Sequence, residues 1–267
     1  MPVAVFGALN VSPESFYAGS VVQDHDQLLS TAERMVEGGA VFVDVGGMSS
    51  APYLVTRISE AEEADRLAGA IEQLVAKLAV RVSADTCRAA PARAALEAGA
   101  AIINDVSGLT GDPGMAPLVA RTGAGLIVMA GDRRPRGRGN QPMDVILALL
   151  RESLELAREA GIDAKRIAVD PGIGFFRTGD RPWYDWDCRV LGNLGLLAAL
   201  GRPVCVGVSR KSFIGAVLGQ ADPGERLVGS LAAAGIAVFN GAHLIRCHDV
   251  AETRQAVRIA EAIRRQV

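Results

Sequence analysis

Short apolar runs alternate along this chain with longer stretches whose apolar residues recur every three or four positions. The runs Val3–Leu9, Val41–Val45, Val80–Ala84, Ala101–Asn104, Gly125–Met129, Arg166–Val169, Val204–Val208 and Ala242–Arg246 have the length and continuity of buried strands. Between them, Asp26–Glu37, Glu60–Leu78, Ala90–Ala98, Gly114–Arg121, Met143–Ala160, Cys188–Leu200, Gly224–Asn240 and Ala251–Arg265 read as helices. Alternation of this kind predicts a parallel sheet with right-handed crossovers. Eight such units in 267 residues predict an α/β fold, a closed (β/α)8 TIM barrel forming one domain over residues 1–267. The competing arrangement is an open doubly wound sheet. It usually carries a Gly-x-Gly-x-x-Gly turn after its first strand, and Gly7-Ala8-Leu9-Asn10 does not supply one.

Composition narrows the function classes. With 49% hydrophobic and 22% charged residues, the chain has material for one large core. A formal net charge of −2 and a pI near 6.0 give no basic field, so no nucleic-acid partner is expected. No apolar run approaches the roughly 20 residues that cross a bilayer, and no basic region precedes the first strand, so neither membrane association nor a signal peptide is expected. The four cysteines, Cys87, Cys188, Cys205 and Cys247, form no Cys-x-x-Cys pair, and Cys205 and Cys247 read as buried free thiols. A cytoplasmic location fits that usage.

Barrel enzymes build their sites where strands end. Polar groups stand at seven of the eight predicted exits: Asn10, Asp44, Asp85, Asn104 with Asp105, Asp170, Ser209 to Lys211, and Arg246 with His248. One such residue is usually a helix cap or turn former; seven together are poorly explained that way. Arg246 and His248 are two apart, as are Ser83 and Asp85, so each pair shares a face of its extended segment. Asp249 reads as the cap of the last helix, and Asp105 as a cap or turn residue. Buried Asp and Asn would suit a flat heterocycle with amino, amide and ring-nitrogen groups. Arg246 and His248 would suit a phosphate. Asn10, ahead of Ser12-Pro13-Glu14-Ser15, offers an amide oxygen to Mg²⁺. No Ser-His-Asp order or activated thiol points to covalent catalysis.

Seven stretches in order then carry a family resemblance. They are Gly7-Ala8-Leu9-Asn10-Val11-Ser12-Pro13-Glu14-Ser15-Phe16, Asp44-Val45-Gly46-Gly47, Ser83-Ala84-Asp85-Thr86, Ile103-Asn104-Asp105-Val106-Ser107-Gly108, Asp170-Pro171-Gly172-Ile173-Gly174-Phe175, Ser209-Arg210-Lys211-Ser212 and Arg246-Cys247-His248-Asp249-Val250. The chain resembles the dihydropteroate synthases of the pterin-binding barrel superfamily over nearly its whole length. The resemblance implies a cytoplasmic, homodimeric transferase of folate biosynthesis that condenses 6-hydroxymethyl-7,8-dihydropterin pyrophosphate with p-aminobenzoate, using Mg²⁺. It implies that Asp85, Asn104, Asp170 and Lys211 hold the pterin, with Met129 and Phe175 lining its slot. Asn10, Arg246 and His248 would hold the pyrophosphate, with the metal at Asn10. Ser209, Lys211 and Ser50 would border p-aminobenzoate. The catalytic set implied is Asp85, Asp170, Lys211, Arg246 and His248.

Departures from the family pattern fall in loops. Ala51 stands where an arginine is usual, Tyr17-Ala18-Gly19-Ser20 replaces a carboxylate-bearing turn, and Met129-Ala130-Gly131 replaces Met-His-Met. Arg133, Arg134, Arg136 and Arg138 read as a solvated loop or as compensation for Ala51. Trp183, Tyr184 and Trp186 read either as a loop packing its own rings or as a lid over the aryl amine. Val228–Phe239, apolar on every side, reads as a tightly packed helix or a homodimer face. Two other functions stay open here: a pterin-dependent methyltransferase, which would share the Asp and Asn contacts, and a pterin-binding paralogue with weak or altered turnover.

Overall fold

A computed structural model describes residues 2–12, 25–48, 58–131, 141–177 and 182–266. Its strands are β1 (Ala4–Asn10), β2 (Phe42–Gly46), β3 (Arg81–Asp85), β4 (Ile102–Asp105), β5 (Gly125–Met129), β6 (Ile167–Asp170), β7 (Cys205–Gly207) and β8 (Leu244–Cys247). All neighbours are parallel, in the order β6-β5-β4-β3-β2-β1-β8-β7. The bridge between Val169 and Val204 joins β6 to β7 and closes the cylinder. The described helices are α1 (His25–Glu37), α2 (Glu60–Lys77), α3 (Ala89–Glu97), α4 (Met115–Thr122), α5 (Pro142–Glu159), α6 (Trp183–Gly192), α7 (Ser212–Leu218), α8 (Leu227–Phe239) and α9 (Val250–Arg264). The fold is the expected (β/α)8 barrel.

Local chemistry accounts for the helix limits. The Ser59 hydroxyl accepts the Glu62 N–H at the start of α2, whose first turn carries Glu60, Glu62 and Glu63 and whose last turn carries Lys77, matching the helix dipole at both ends. Two expected helices differ. The stretch expected as Cys188–Leu200 is α6, starting five residues earlier at Trp183, followed by a 3-10 segment over Leu194–Leu200. The stretch expected to begin at Gly224 is α8, and α7 lies ahead of it, opening directly after Lys211.

Two apolar bodies hold the barrel together. The larger lies between sheet and helices and includes Val43, Val45, Leu67, Ile71, Leu74 and Ile146. The smaller joins Phe6, Phe42, Ile127, Ala168 and Cys205, from five strands, with Ile102 and Leu244 packed on it. Phe6 and Phe42 stack at 4.2 Å between ring centroids. Because side chains alternate along a strand, the residues two steps on from this cluster face the same interior. Those residues are Ala8, Asp44, Asn104, Met129, Asp170, Gly207 and Arg246.

Candidate active site

Above the apolar plug, Arg246 reaches across the barrel from β8. Its Nε donates to Asp44 Oδ2 at 2.7 Å and its Nη2 to Asp85 Oδ2 at 2.9 Å. Asn104 Nδ2 donates to the same Asp44 oxygen at 3.0 Å. Asp44 is fully buried, so one carboxylate from β2 fixes both the guanidinium and the amide. With its NH₂ turned to Asp44, Asn104 presents its carbonyl oxygen to the cavity. Asp170, opposite Met129 in the β5–β6 register, accepts the Gly172 N–H through Oδ1 at 2.7 Å. Gly46 keeps the mouth open: a side chain there would come within 3.1 Å of Asn10 Oδ1 and 3.9 Å of Asp85 Oδ2, so Asn10 and Asp85 face one gap.

Lys211 enters from the loop after β7. Its ammonium sits 4.7 Å from the centroid of the Phe175 ring. Gly174, at φ +84°, packs under its aliphatic stem, where a Cβ would lie 3.1 Å from Cδ. The neighbouring Arg210 takes a different path. Its backbone is left-handed at φ +54°, and its guanidinium forms a two-bond pair with Asp249 and also donates to the Pro223 and Gly224 carbonyls. Asp249 makes no side-chain cap to α9; its structural role is this ion pair, which corrects the cap expected for it. Asp105 is a turn organiser, accepting from the Ser107 N–H, the Ser107 hydroxyl and the Leu109 N–H.

Ser209 and His248 meet across the β7 and β8 loops, with the hydroxyl 3.0 Å from Nδ1 and 3.2 Å from the His248 backbone nitrogen. Ser209 was expected beside p-aminobenzoate; its hydroxyl is taken up by His248.

Burial sets the charge states. It pushes the Asp85 carboxyl up to about 7; Arg246 opposes this, while Asp44 and Glu63 add to it. Burial also raises Asp170, against the Gly172 hydrogen bond and Lys211. It brings Lys211 down to about 8, with Asp170 opposing. Burial works against the Arg246 charge too, but Asp44 and Asp85 more than offset it and raise that group. Burial, then Arg246, Arg210 and Lys211, drive His248 down to about 3, so at neutral pH the ring is uncharged.

Sequence reasoning passed over two residues here. Asp44 was noted at a strand exit but given no task. Asp187 of α6 is buried, accepts the Gly174 N–H at 2.9 Å, and has a second oxygen with no hydrogen-bond partner among the described residues; burial pushes its carboxyl up to about 6. It supports the loop on which Phe175 sits. A signal existed: an acidic residue inside the apolar face of α6. Arg177, on that loop, donates to the Gly174 carbonyl and to the Ser212 hydroxyl and lies 4.0 Å over the Trp183 ring. Trp186 is buried and stacked on Phe176 at 5.0 Å, so that half of the aromatic pair is core rather than lid. Ser50, Ala51, Tyr17 to Ser20 and the arginines from Arg133 to Arg138 lie outside the described residues. Among the described residues no cluster of three His, Cys, Asp or Glu could by itself hold a metal, and no helix is long and apolar enough to cross a membrane.

The arrangement is therefore an acceptor-rich pocket (Asp85, Asn104, Asp170) bordered from the adjacent β7 and β8 by a cation over an aromatic ring and by Arg246 and His248. Comparison with known proteins identifies what it is similar to. The family model described as "Pterin binding enzyme" matches residues 6–248. Dihydropteroate synthase of Bacillus subtilis is 37% identical over 259 residues, spanning 97% of this chain and 88% of that protein. The Mycobacterium leprae dihydropteroate synthase is 37% identical over 273 residues, spanning 98% and 93%. Among solved structures, a Coxiella burnetii dihydropteroate synthase in complex with pteroic acid superposes with TM-score 0.90 at 35% identity, covering 100% of this chain and 94% of that one. A Xanthomonas albilineans dihydropteroate synthase with 4-aminobenzoic acid gives TM-score 0.87 at 34% identity, covering 98% and 93%.

Proposed function

The chain belongs to the pterin-binding enzyme family, among its dihydropteroate synthases, and from that premise we propose that it joins 6-hydroxymethyl-7,8-dihydropterin pyrophosphate to p-aminobenzoate, forming 7,8-dihydropteroate and pyrophosphate. It is an enzyme transferring an alkyl group other than methyl. The observation that carries the reading is the inward convergence of Asp85, Asn104 and Asp170 beside Lys211 at one mouth of the barrel.

In this reading the pterin lies over the apolar plug. Its amino and ring N–H groups meet the Asn104 carbonyl and the Asp85 and Asp170 carboxylates, and its carbonyl side meets Lys211. Met129 and Phe175 line the slot. Displacement is dissociative: the carbon–oxygen bond to pyrophosphate breaks first, the electron pair leaves with the oxygen, and the aryl amine attacks the resulting methylene cation. Asp85 and Asp170 stabilise that cation by their negative field. Arg246 and the His248 ring take the departing pyrophosphate. The amine needs no strong base, since its proton is acidic once the new carbon–nitrogen bond has formed. Ser50 and Lys211 border p-aminobenzoate in this reading, while Ser209, through His248, acts on the pyrophosphate side.

Mg²⁺ fits as an ion that arrives on the pyrophosphate, because Asn10 brings a single neutral oxygen to the gap and magnesium is commonly held by few protein oxygens plus substrate phosphate. When bound it would neutralise charge on the leaving group. We also propose a homodimer through α8 and α9. Val228, Ile236, Phe239, Ile259 and Ile263 are exposed together there, around an apolar groove of ≈ 570 Å³, and a face lined by apolar residues alone suits a second copy. A cytoplasmic location agrees with the free cysteines.

The deciding assay combines protein, Mg²⁺, the pterin pyrophosphate and p-aminobenzoate. Dihydropteroate and pyrophosphate should appear in equal amounts; pterin binding without product would overturn the synthase reading.

A further inference from the structure

The β7 and β8 loops are joined at two successive places, Ser209 to His248 and Arg210 to Asp249. The second is an ion pair. The first fixes a proton. The His248 backbone N–H can only donate, so at 3.2 Å the Ser209 oxygen accepts from it. That oxygen also lies 3.0 Å from His248 Nδ1. Ser209 is buried, and its hydroxyl meets no other acceptor among the described residues. If Nδ1 carried a hydrogen, the serine O–H would be buried with nothing to accept it, which folded proteins avoid. Hydrogen-bond accounting therefore runs from the Ser209 hydroxyl to a bare Nδ1.

We propose that Ser209 is a positioning residue that holds His248 in its Nε2-protonated tautomer, so that the ring offers a neutral N–H to a pyrophosphate oxygen and transfers no proton. This rests on the reading above only in naming pyrophosphate as the acceptor. The balance is simple: the departing oxygen keeps the electron pair from the broken bond, and His248 is the same species before and after. Its role is geometric, like the partner that orients a metal-bound histidine through its other nitrogen.

The test uses ¹⁵N-histidine-labelled full-length protein. The chain has three histidines, so the ring nitrogens resolve readily. Wild type should give a bare, hydrogen-bonded Nδ1 and a protonated Nε2 for His248 at neutral pH. Ser209→Ala should change that signature and raise KM for the pterin pyrophosphate about tenfold, the effect of losing one oriented hydrogen bond. Ser209→Thr, which keeps the hydroxyl, should restore both. A protonated Nδ1 in wild type, an unchanged ring spectrum in Ser209→Ala, or a KM rise confined to p-aminobenzoate would each overturn the proposal. The wild-type spectrum decides even if Ser209→Ala fails to fold. Absence of dihydropteroate from wild type would sink the synthase reading and leave the tautomer result standing.

Discussion

The two halves of the barrel interior are built on the same strands, and on four of them the chemistry turns from apolar to polar within one pleat. One half is a plug of Phe6, Phe42, Ile127, Ala168 and Cys205. The other, reached by moving two residues along the chain, holds Asp44, Asn104, Asp170 and Arg246. That step is about 6.6 Å of strand. From Phe42 to Asp44, from Ile102 to Asn104, from Ala168 to Asp170 and from Leu244 to Arg246, one pleat converts packing into recognition. The plug can seal one end because its members need no partners. The polar half can stay buried because each charge meets another or faces the cavity where a ligand would sit.

The largest effect should come from Arg246→Ala. It leaves Asp44 and Asp85 buried without their cation, which destabilises by about 3–5 kcal/mol and abolishes measurable turnover. Denaturant titration and the synthase assay check both, and a stable, active variant would end the argument that this half depends on paired charge.

Asp85→Asn separates function from folding within the same half. Turnover should fall about 10²–10³-fold with pterin affinity changed far less, as kcat and KM measured separately would reveal; equal losses would refute the electrostatic role. The pH profile sharpens this. Chemistry needs Asp85 ionised and Lys211 protonated, so kcat/KM should rise with pH through about 7 and fall above about 8. In Asp85→Asn the acid limb should vanish. The stability effect has the opposite sense. Asp85 has a folded pKa above the unfolded 3.8, so its ionisation disfavours the native state increasingly as pH rises from about 4 to about 7. Relative to Asp85→Asn, wild type should lose stability over that interval.

The smallest effect belongs to the plug. Phe6→Leu removes the stacking on Phe42 in a fully buried place and should reduce stability by about 1 kcal/mol while leaving kcat untouched. A clear change in kcat would mean that the two halves are mechanically coupled.

The barrel was legible in the sequence because buried parallel strands are continuous apolar runs and helices between them repeat at 3.6 residues. Asp85, Asn104, Asp170 and Arg246 were legible because each ends such a run. Asp44 ends one too, yet its task could not be read. Its partners lie 60 and 202 residues away in the chain, and only the closed ring brings them together. Asp187 is not legible because the helix expected from Cys188 begins at Trp183, which places Asp187 on a buried side of α6. The helix α7 escaped because seven residues, Ser-Phe-Ile-Gly-Ala-Val-Leu, are too few to display a period. Ser209 ends a run as well, but the partner of its hydroxyl, a histidine 39 positions on, is brought to it only by the neighbouring strand.

The left-handed backbone at Arg210 has a wider consequence. It turns two neighbouring cations in opposite senses, one discharged against Asp249 inside the wall and one left at the opening. An anion approaching the mouth is thus attracted by one positive charge fewer than Ser-Arg-Lys-Ser spells.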